Sequence, residues 1–463
     1  MLNLLRRCDS GFFLESSLDI DRMGRYSFFG IEPFSVLQYK NGWITHSQKG
    51  RDKKFKGNIF NYLRGLLDNY KLAVKNPSAN PPFLGGAVGF LSYDLGFYLE
   101  NIARKNSDDL NTPDLWFAFF DTALIVDNYR NEATVFSTGF PEKSKRLRKI
   151  RAKQRLSEFI NKLDSLDEGL FSGEGYYSGE HELKSNFTYN NYIRAVNKSR
   201  DYITKGDIYQ INLSQRFQAK TDLSQEELFV NFRKVFPVPF GGIIKADDFS
   251  IISGSPERFI KYDGEFVTTR PMKGTRRRTG NAALDRQLRQ ELEVSAKDKA
   301  ELLMIVDLER NDLGKVCDYG SVKVESLRRL EEYATVFQAT SQVRGRLYPG
   351  MDRVDIIKAC FPGGSITGCP KIRAMQIIEE LEPNRRGIYT GSMGYFSFSG
   401  TMDFNILIRS FFKKGRDVYF SAGGGIVYDS KPELEYEETL VKAEALKMAL
   451  RGYKNEALCV AGR

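Results

Sequence analysis

The residues best suited to chemistry gather around Lys273, in Thr268-Thr269-Arg270-Pro271-Met272-Lys273-Gly274-Thr275-Arg276-Arg277-Arg278. A β-like run from Arg258 to Thr269 delivers the chain to a proline. The lysine then sits beside a Gly-Thr turn, with three arginines after it. Like-charge repulsion and partial burial both lower a lysine pKa and free its amine as a nucleophile. A solvated basic loop is the other reading. Glu257, in Ser253-Gly254-Ser255-Pro256-Glu257-Arg258-Phe259, follows a proline on a turn; if buried, it would stay protonated and serve as a general acid. Asp298 and Glu301 lie three apart on one predicted helix, and Glu435 and Glu438 three apart on another. Residues at that spacing share a helix face. Two such pairs facing each other make an oxygen-only site suited to Mg²⁺, although exposed acidic helices show the same spacing.

Two glycine-rich turns follow the same logic. Gly423-Gly424-Gly425 comes after a strand, and Gly363-Gly364-Ser365-Ile366-Thr367-Gly368-Cys369-Pro370 ends on a proline. Both can offer backbone N–H groups to a carboxylate or phosphate, or can simply be tight turns. Arg409 lies in the otherwise apolar stretch Asp403 to Ser410, predicted as a strand. A buried guanidinium there needs an internal ion pair or a carboxylate substrate. Tyr389, just before a glycine chain turn, is by itself an ordinary core or surface tyrosine.

Positioning these groups takes a substantial scaffold, and the 463-residue chain supplies one: 41% hydrophobic and 13% aromatic residues are enough for a large core. The net charge of +10 suits anionic small molecules or a negatively charged partner. There is no RNA-binding signature, no zinc spacing and no basic stripe interleaved with aromatics, so no nucleic acid is expected. Five scattered cysteines form no disulfide or metal pattern and favour a reducing, cytoplasmic setting. The N-terminus lacks signal-peptide order, and no uncharged apolar run approaches the ~20 residues of a membrane span. His46 and His181 both sit in polar, loop-like sequence, leaving acid–base work to carboxylates, lysine or water.

Residues 1–168 read as a β-rich region, with strands near Phe12 to Ser17, Gly24 to Gly30, Ser35 to Trp43, Gly85 to Asp94 and Trp116 to Val126, and a helix from Asn58 to Tyr70. Residues 143–155 carry eight basic side chains and continue as an amphipathic helix. Gly169 to Glu182 is Gly, Ser and Glu rich and is taken as the boundary. The second region, 183–455, opens with a helix from Tyr189 to Thr204. The following strand, Ile208 to Ser214, puts Gln210, Asn212 and Ser214 on one face, which would line a polar cavity. Further strands (Phe249 to Ile252, Val322 to Leu327, Gly391 to Ser397, Asp403 to Phe411, Val418 to Ala422) mix with helices (Leu284 to Leu308, Val354 to Ala359, Lys371 to Leu381, Leu434 to Leu450). Strands and helices do not alternate regularly, so the class is α+β rather than a doubly wound sheet.

Taken together, these strings resemble the chorismate-utilising enzymes. The resemblance rests on Gly206 to Phe217, the Ser-Pro-Glu turn, Ala300 to Asp312, Thr367-Gly368-Cys369-Pro370-Lys371, Arg386 to Gly391 and Gly423 to Glu438, in that order along the chain. It implies large, mostly antiparallel sheets packed as a sandwich with helices outside. Anthranilate synthase large subunits are similar but usually carry alanine at the position of Lys273. Pro271-Met272-Lys273-Gly274-Thr275 instead resembles the aminodeoxychorismate synthase branch. Gln210 stands where the water-adding members have a lysine base, which fits ammonia as nucleophile. The resemblance implies Mg²⁺ on Glu301 and Glu438, with Glu435 and Asp298 nearby. Arg409, Tyr389 and the Gly423, Gly424 and Gly425 amides would hold the enolpyruvyl carboxylate, and Gly274 and Thr275 would close the site. Glu257 would protonate the leaving C4 hydroxyl while Lys273 attacks C2. Ammonia would come from a separate glutamine amidotransferase subunit, since no glutaminase-type cysteine setting is present. Departures are Gln338, where the family more often has histidine, and Cys369, which replaces a common alanine. Leu14-Glu15-Ser16 resembles a tryptophan-binding motif, with tryptophan as a possible structural ligand at Ser16. The alternatives are pyruvate-releasing anthranilate synthesis, or a non-catalytic regulator that binds chorismate or tryptophan.

Overall fold

Adjacent apolar residues in the long strands point to different cores, as the two-residue period of a strand requires. Phe12, Phe28, Ile244 and Phe412 enter one cluster, while their neighbours Phe13, Phe29, Ile243 and Phe411 enter another. Trp116, Ala118 and Phe120 likewise part from Phe117 and Phe119. The pattern describes two sheets sharing an inner apolar layer, each with a second apolar face to be covered by helices. The computed structural model, which describes residues 1–18, 23–74, 80–100, 102–165, 175–333 and 336–452, has that architecture.

Among the described residues one sheet has 11 strands and the other 12, and all of their pairings are antiparallel. The first runs Lys184–Ser185, Gln210–Lys220, Asp417–Ile426, Ser410–Lys414, Ser250–Ser255, Phe240–Lys245, Gly11–Glu15, Tyr26–Ile31, Thr122–Asp127, Glu132–Ser137, with Gly368–Cys369 paired to Gln210–Lys220. The second runs Met272–Arg277, Val336–Arg346, Phe266–Arg270, Arg258–Tyr262, Met402–Ile406, Ser392–Ser397, Gly86–Leu91, Leu115–Phe120, Ser35–Lys40, Trp43–Gln48, Arg51–Lys56, with Lys323–Glu332 on Val336–Arg346. The inner layer is aromatic: Phe12 meets Phe120 at 4.7 Å between ring centroids, and Phe28 meets Tyr395 at 5.6 Å, each pair spanning both sheets. Helices Gln225–Val235 and Pro432–Arg451 cover the outer face of the first sheet. Helices Ile59–Asn69, Ala296–Gly314 and Arg353–Cys360 cover that of the second. Strands from 1–168 and from the later region lie side by side in both sheets: Gly11–Glu15 pairs with Phe240–Lys245, and Gly86–Leu91 with Ser392–Ser397. The expected boundary at Gly169 to Glu182 falls partly outside the described residues, as do Cys459 and residues 453–455.

Four local expectations need correction. Trp116 to Val126 is two strands, one in each sheet, with buried Asp121 at the crossing and Arg151 and Arg155 on its carboxylate at 3.3 and 3.5 Å. The helix expected from Leu284 to Leu308 is broken at Ser295, which ends Ala282–Val294 and caps Ala296–Gly314 by accepting from the Asp298 N–H. The strand expected from Asp403 to Phe411 breaks between Met402–Ile406 and Ser410–Lys414, so Arg409 sits in the break with φ +49°. His46 is not in a loop: it is buried in Trp43–Gln48, 2.6 Å from Ser35 Oγ and 2.7 Å from the Tyr62 hydroxyl.

Close strand approach in the second sheet depends on glycine at two central positions. A Cβ on Gly89 would lie 2.0 Å from the Trp116 carbonyl oxygen, and one on Gly394 2.1 Å from that of Asp403. Backbone cannot swing aside as a side chain can. Gly89→Ala and Gly394→Ala are each expected to lower the unfolding free energy by about 1–3 kcal/mol or more, read from urea midpoints; unchanged midpoints would contradict this packing.

Candidate active site

Two strands lay the floor of the site. Along Gln210–Lys220 and Asp417–Ile426, Asn212 stands opposite Gly425, Leu213 opposite Gly424 and Ser214 opposite Gly423. The glycines are required because functional atoms crowd their backbone. A Cβ on Gly425 would lie 2.2 Å from Gln210 Nε2 and 2.6 Å from Lys273 Nζ. One on Gly424 would lie 3.1 Å from Glu435 Oε2 and 3.4 Å from Glu438 Oε1. The glycines lie within the strand Asp417–Ile426 and not on the turn their sequence suggests, and the structure brings them, Gln210, Lys273 and the acidic pair of helix Pro432–Arg451 together.

Lys273 does not face the arginines that follow it, as the sequence suggested. Its Nζ pairs with Glu301 Oε2 at 3.2 Å. Arg276 pairs with Asp298 at 3.1 Å, and Arg278 donates to the Tyr333 carbonyl at 2.8 Å. Gly274 takes φ +83°, where a Cβ would strike Asp298 at 2.9 Å. The expected Gly-Thr turn is thus a bulge within the strand Met272–Arg277, held by Asp298 through Arg276 and Gly274. Thr275 is exposed, and its hydroxyl donates to Gln338 Oε1 at 3.2 Å. Gln338 therefore supports the bulge.

Glu257 is buried beside this bulge. Ser365 Oγ donates to its Oε1 at 2.7 Å. Burial pushes the carboxyl up to about 7, against the opposing pull of Ser365, the Lys273 charge and the Met272 N–H. A carboxyl poised there can deliver a proton at neutral pH. Glu435 is also pushed up by burial, with the Glu438 charge adding, while Ser430 donates to its Oε1 at 2.6 Å. Glu438 is exposed; partial desolvation opposes its ionised form, yet Lys442, at 2.6 Å, holds it below the usual range with help from Lys273 and Lys297.

Several groups in this region lack partners. Gln210 Oε1, Asn212 Nδ2 and Glu435 Oε2 are buried and make no hydrogen bond among the described residues. Arg409 is half-buried over the Phe236 ring at 4.1 Å and has no carboxylate partner among the described residues; burial pushes its guanidinium down to about 10, with Tyr333 opposing. The internal ion pair that its sequence setting allowed is absent among the described residues. Tyr389 is buried, and burial raises its phenol to about 12, with the Arg386 charge opposing. The turns carrying Tyr389 and Arg409 are joined by a bond from the Thr390 N–H to the Leu407 carbonyl at 2.8 Å. Gln210 and Asn212 line a small cavity with Met304, Ile305, Ser365 and Cys369. Ser214, expected on the same polar face, is instead turned to Glu382, donating from its N–H and its hydroxyl at 2.9 and 2.8 Å.

The donor set suits an oxygen-liganded cation. Glu435 Oε2 is orphaned beside Glu438, and Glu301 lies across Lys273 from them. Among the described residues no three acidic, histidine or cysteine side chains stand close enough to cage an ion by themselves. The fit is therefore to an ion that takes further oxygens from substrate or water. Ser16 lies elsewhere: its hydroxyl donates to the Leu18 carbonyl at 3.1 Å. The adjacent Leu14 and Glu15 line a separate cavity of about 450 Å³ between the sheets, with Phe240, Lys261 and Asp403. Three contributors went unread in sequence: Ser365, Lys442 and Arg386. Lys442 lies four residues after Glu438, an ion-pair spacing that was available to be noticed.

Residues 32–448 match the family described as chorismate binding enzyme. The chain is 38% identical to aminodeoxychorismate synthase component 1 of Bacillus subtilis, covering 94% of this chain and 91% of that one. It is 36% identical to anthranilate synthase component 1 of Aquifex aeolicus, covering 97% and 91%. The fold is similar to that of anthranilate synthase component I from Streptococcus pneumoniae, with TM-score 0.81 at 30% identity over 93% of each chain. It also resembles the menaquinone-specific isochorismate synthase of Escherichia coli, with TM-score 0.72 at 17% identity over 97% of this chain and 91% of that one.

Glu257 gives the site a pH signature. Its folded value of about 7 lies above the ordinary 4.5. Its contribution to stability is therefore fully present below the ordinary value and lost as pH rises through the folded one. Glu257→Gln removes this slope, so the variant is expected to gain up to ~3 kcal/mol relative to the parent across that window. Urea titrations at both ends test this, and a constant difference between the two proteins would count against a neutral Glu257.

Proposed function

The chain belongs to the chorismate-binding enzymes and is itself a chorismate-utilising enzyme, and on that premise we propose that it converts chorismate and ammonia to 4-amino-4-deoxychorismate, in para-aminobenzoate and folate biosynthesis. The observation that carries this reading is the position of Lys273 Nζ against Gly425 and Gln210, on the strand bulge beside buried Glu257. A nucleophilic amine and a neutral acid on one substrate pocket support a substitution in which one attacks while the other protonates the leaving group.

In this mechanism Arg409 and Tyr389 bind the enolpyruvyl carboxylate, with the N–H groups of Gly423 to Gly425 beside it. The unpaired guanidinium supports that assignment. Lys273 attacks C2 as the free amine, both conjugated ring double bonds shift, and the C4 hydroxyl leaves as water with the Glu257 proton. Ammonia then bonds to C4, both double bonds return, Lys273 leaves as its free amine, and the new C4 ammonium gives a proton back to Glu257. Gln210 lacks the basicity to activate water, which favours ammonia. Mg²⁺, held by Glu301, Glu435 and Glu438, would supply positive charge against the ring carboxylate. Asp298 would act from behind, through Arg276 and Gly274.

Ammonia is taken to come from a separate glutamine amidotransferase subunit. Among the described residues His46 is bound to Ser35 and Tyr62 and His181 lies against backbone carbonyls, so neither stands ready beside a cysteine. No helix among the described residues is long and apolar enough to cross a membrane; the sparse cysteines support a cytoplasmic protein. The cavity beside Leu14 and Glu15 is the proposed place for a structural tryptophan near Ser16. Anthranilate synthesis is the second reading, favoured by relatives with that name and opposed by Lys273.

The purified chain, given chorismate, ammonia and Mg²⁺, is expected to form 4-amino-4-deoxychorismate by mass spectrometry, to fail with glutamine alone, and to lose activity as Lys273→Ala. Fluorescent anthranilate formed without a lyase would refute the assignment. Arg409→Met is expected to raise KM for chorismate by the equivalent of ~1.5–3 kcal/mol, the range for a charge-assisted hydrogen bond. An unchanged KM would remove Arg409 from substrate binding.

A further inference from the structure

Helix Ala296–Gly314 touches the consecutive strands Phe266–Arg270 and Met272–Arg277, the second of which carries Lys273, at three points: Asp298 to Arg276 at 3.1 Å, Glu301 to Lys273 at 3.2 Å, and Glu309 to Thr269 at 2.7 Å. At 3.6 residues per turn the three carboxylates fall within an arc of about 80° and span about 16 Å along the axis. Their partners follow in reverse order, so the helix lies along this segment and is pinned at both ends. The first two contacts are ion pairs. The third has no cation.

Thr269 Oγ1 lies 2.8 Å from the Phe259 carbonyl oxygen and 2.7 Å from Glu309 Oε2. Phe259 is buried, at a bulge where the register shifts against both neighbouring strands, with Thr269 across from it. A buried carbonyl needs a donor. A threonine hydroxyl has one proton, and the carbonyl can only accept it. The short contact to Glu309 then requires a proton from the carboxyl. We propose that Glu309 is a positioning residue for the reaction: as a neutral acid it donates to Thr269, fixing Phe266–Arg270 along the helix and so setting where Lys273 stands relative to Glu257. This role rests on the function proposed above.

The surroundings agree. Burial drives the Glu309 carboxyl well above the usual range; Thr269 and Lys371 oppose this, and the charges of Glu257 and Asp312 add to it. Cys360 faces the same group from helix Arg353–Cys360. Lys371 is committed to Asp312 and to the Cys360 carbonyl. An ionised Glu309 would place a second negative charge near Glu257 and hold its proton more tightly, whereas a neutral one leaves Glu257 to its own burial.

The test compares Glu309→Gln with Glu309→Ala in the full chain. Glutamine keeps a neutral donor, so Glu309→Gln is expected to retain the parent's kcat and leave the alkaline limb of the pH–rate profile in place. Glu309→Ala is expected to lose kcat on the order of tenfold to a hundredfold, as for a displaced catalytic group, with little change in KM. In the infrared difference spectrum at neutral pH, a protonated-carboxyl band is expected to disappear in Glu309→Gln and persist in Glu257→Gln. An alkaline limb moved to lower pH in Glu309→Gln, no loss of that band, or undiminished kcat in Glu309→Ala would each overturn the proposal. The infrared comparison needs no turnover, so it judges Glu309 even if chorismate yields a different product.

Discussion

The site depends on one buried ion pair. Arg386 donates to both Glu382 oxygens, at 2.7 and 2.9 Å, and to the carbonyls of Asn212 and Ile366 at 2.6 and 3.1 Å. A further bond, at 3.2 Å, goes to Thr390 Oγ1. Glu382 returns the tie by accepting from Ser214. The floor strand, the Ser365 turn and the turn bearing Tyr389 are thereby held to one guanidinium. Desolvating two charges is costly, and such a pair adds little stability beyond an apolar replacement. Removing one partner, however, costs about 3–5 kcal/mol because the other charge stays buried. The value of this pair lies in geometry: three elements converge within hydrogen-bond distance of two side chains.

Around that anchor, satisfied and unsatisfied groups are sharply divided. Asp298, Glu301, Glu438 and Glu257 each have a partner within the protein. Gln210, Asn212 and Glu435 each retain an orphaned buried atom, and Arg409 has no counter-charge among the described residues. Folded proteins seldom leave such groups unmet. Other orphaned atoms lie elsewhere in the fold, at Asp114, Asp121 and Glu226 for example, but these three stand among the residues around Lys273, where polar groups remain free to meet a ligand.

Legibility in sequence followed the range of the forces involved. Helices Tyr189–Thr204 and Lys371–Leu381 were read to the residue, because periodicity and caps are local. The same reasoning missed the break at Ser295, where one side chain serves as a cap inside an unbroken helical pattern. It also merged Leu115–Phe120 with Thr122–Asp127, since an apolar run does not reveal that Asp121 carries it from one sheet to the other. The site residues could be named from motifs, but Lys273 was given the wrong neighbours. Arginines adjacent in sequence turn away along the strand, and its partner, Glu301, comes from a helix packed across it. Glu257 was read as an acid on condition of burial, and tertiary structure supplied the burial.

The interleaving of early and late strands has a consequence for biosynthesis. Gly86–Leu91 is an interior strand whose partner, Ser392–Ser397, follows about 300 residues later. At translation rates of roughly 5–20 residues per second, that partner arrives some 15–60 s after its mate. Until then the backbone groups along one side of this apolar strand lack their partners, the kind of edge that recruits other chains. The glycines that let the finished sheet close so tightly also leave the nascent edge without bulky side chains to guard it. This protein's period of greatest exposure to misassembly thus falls during its own synthesis, and holding factors on the emerging chain would act on the first sheet segments long before the active site exists.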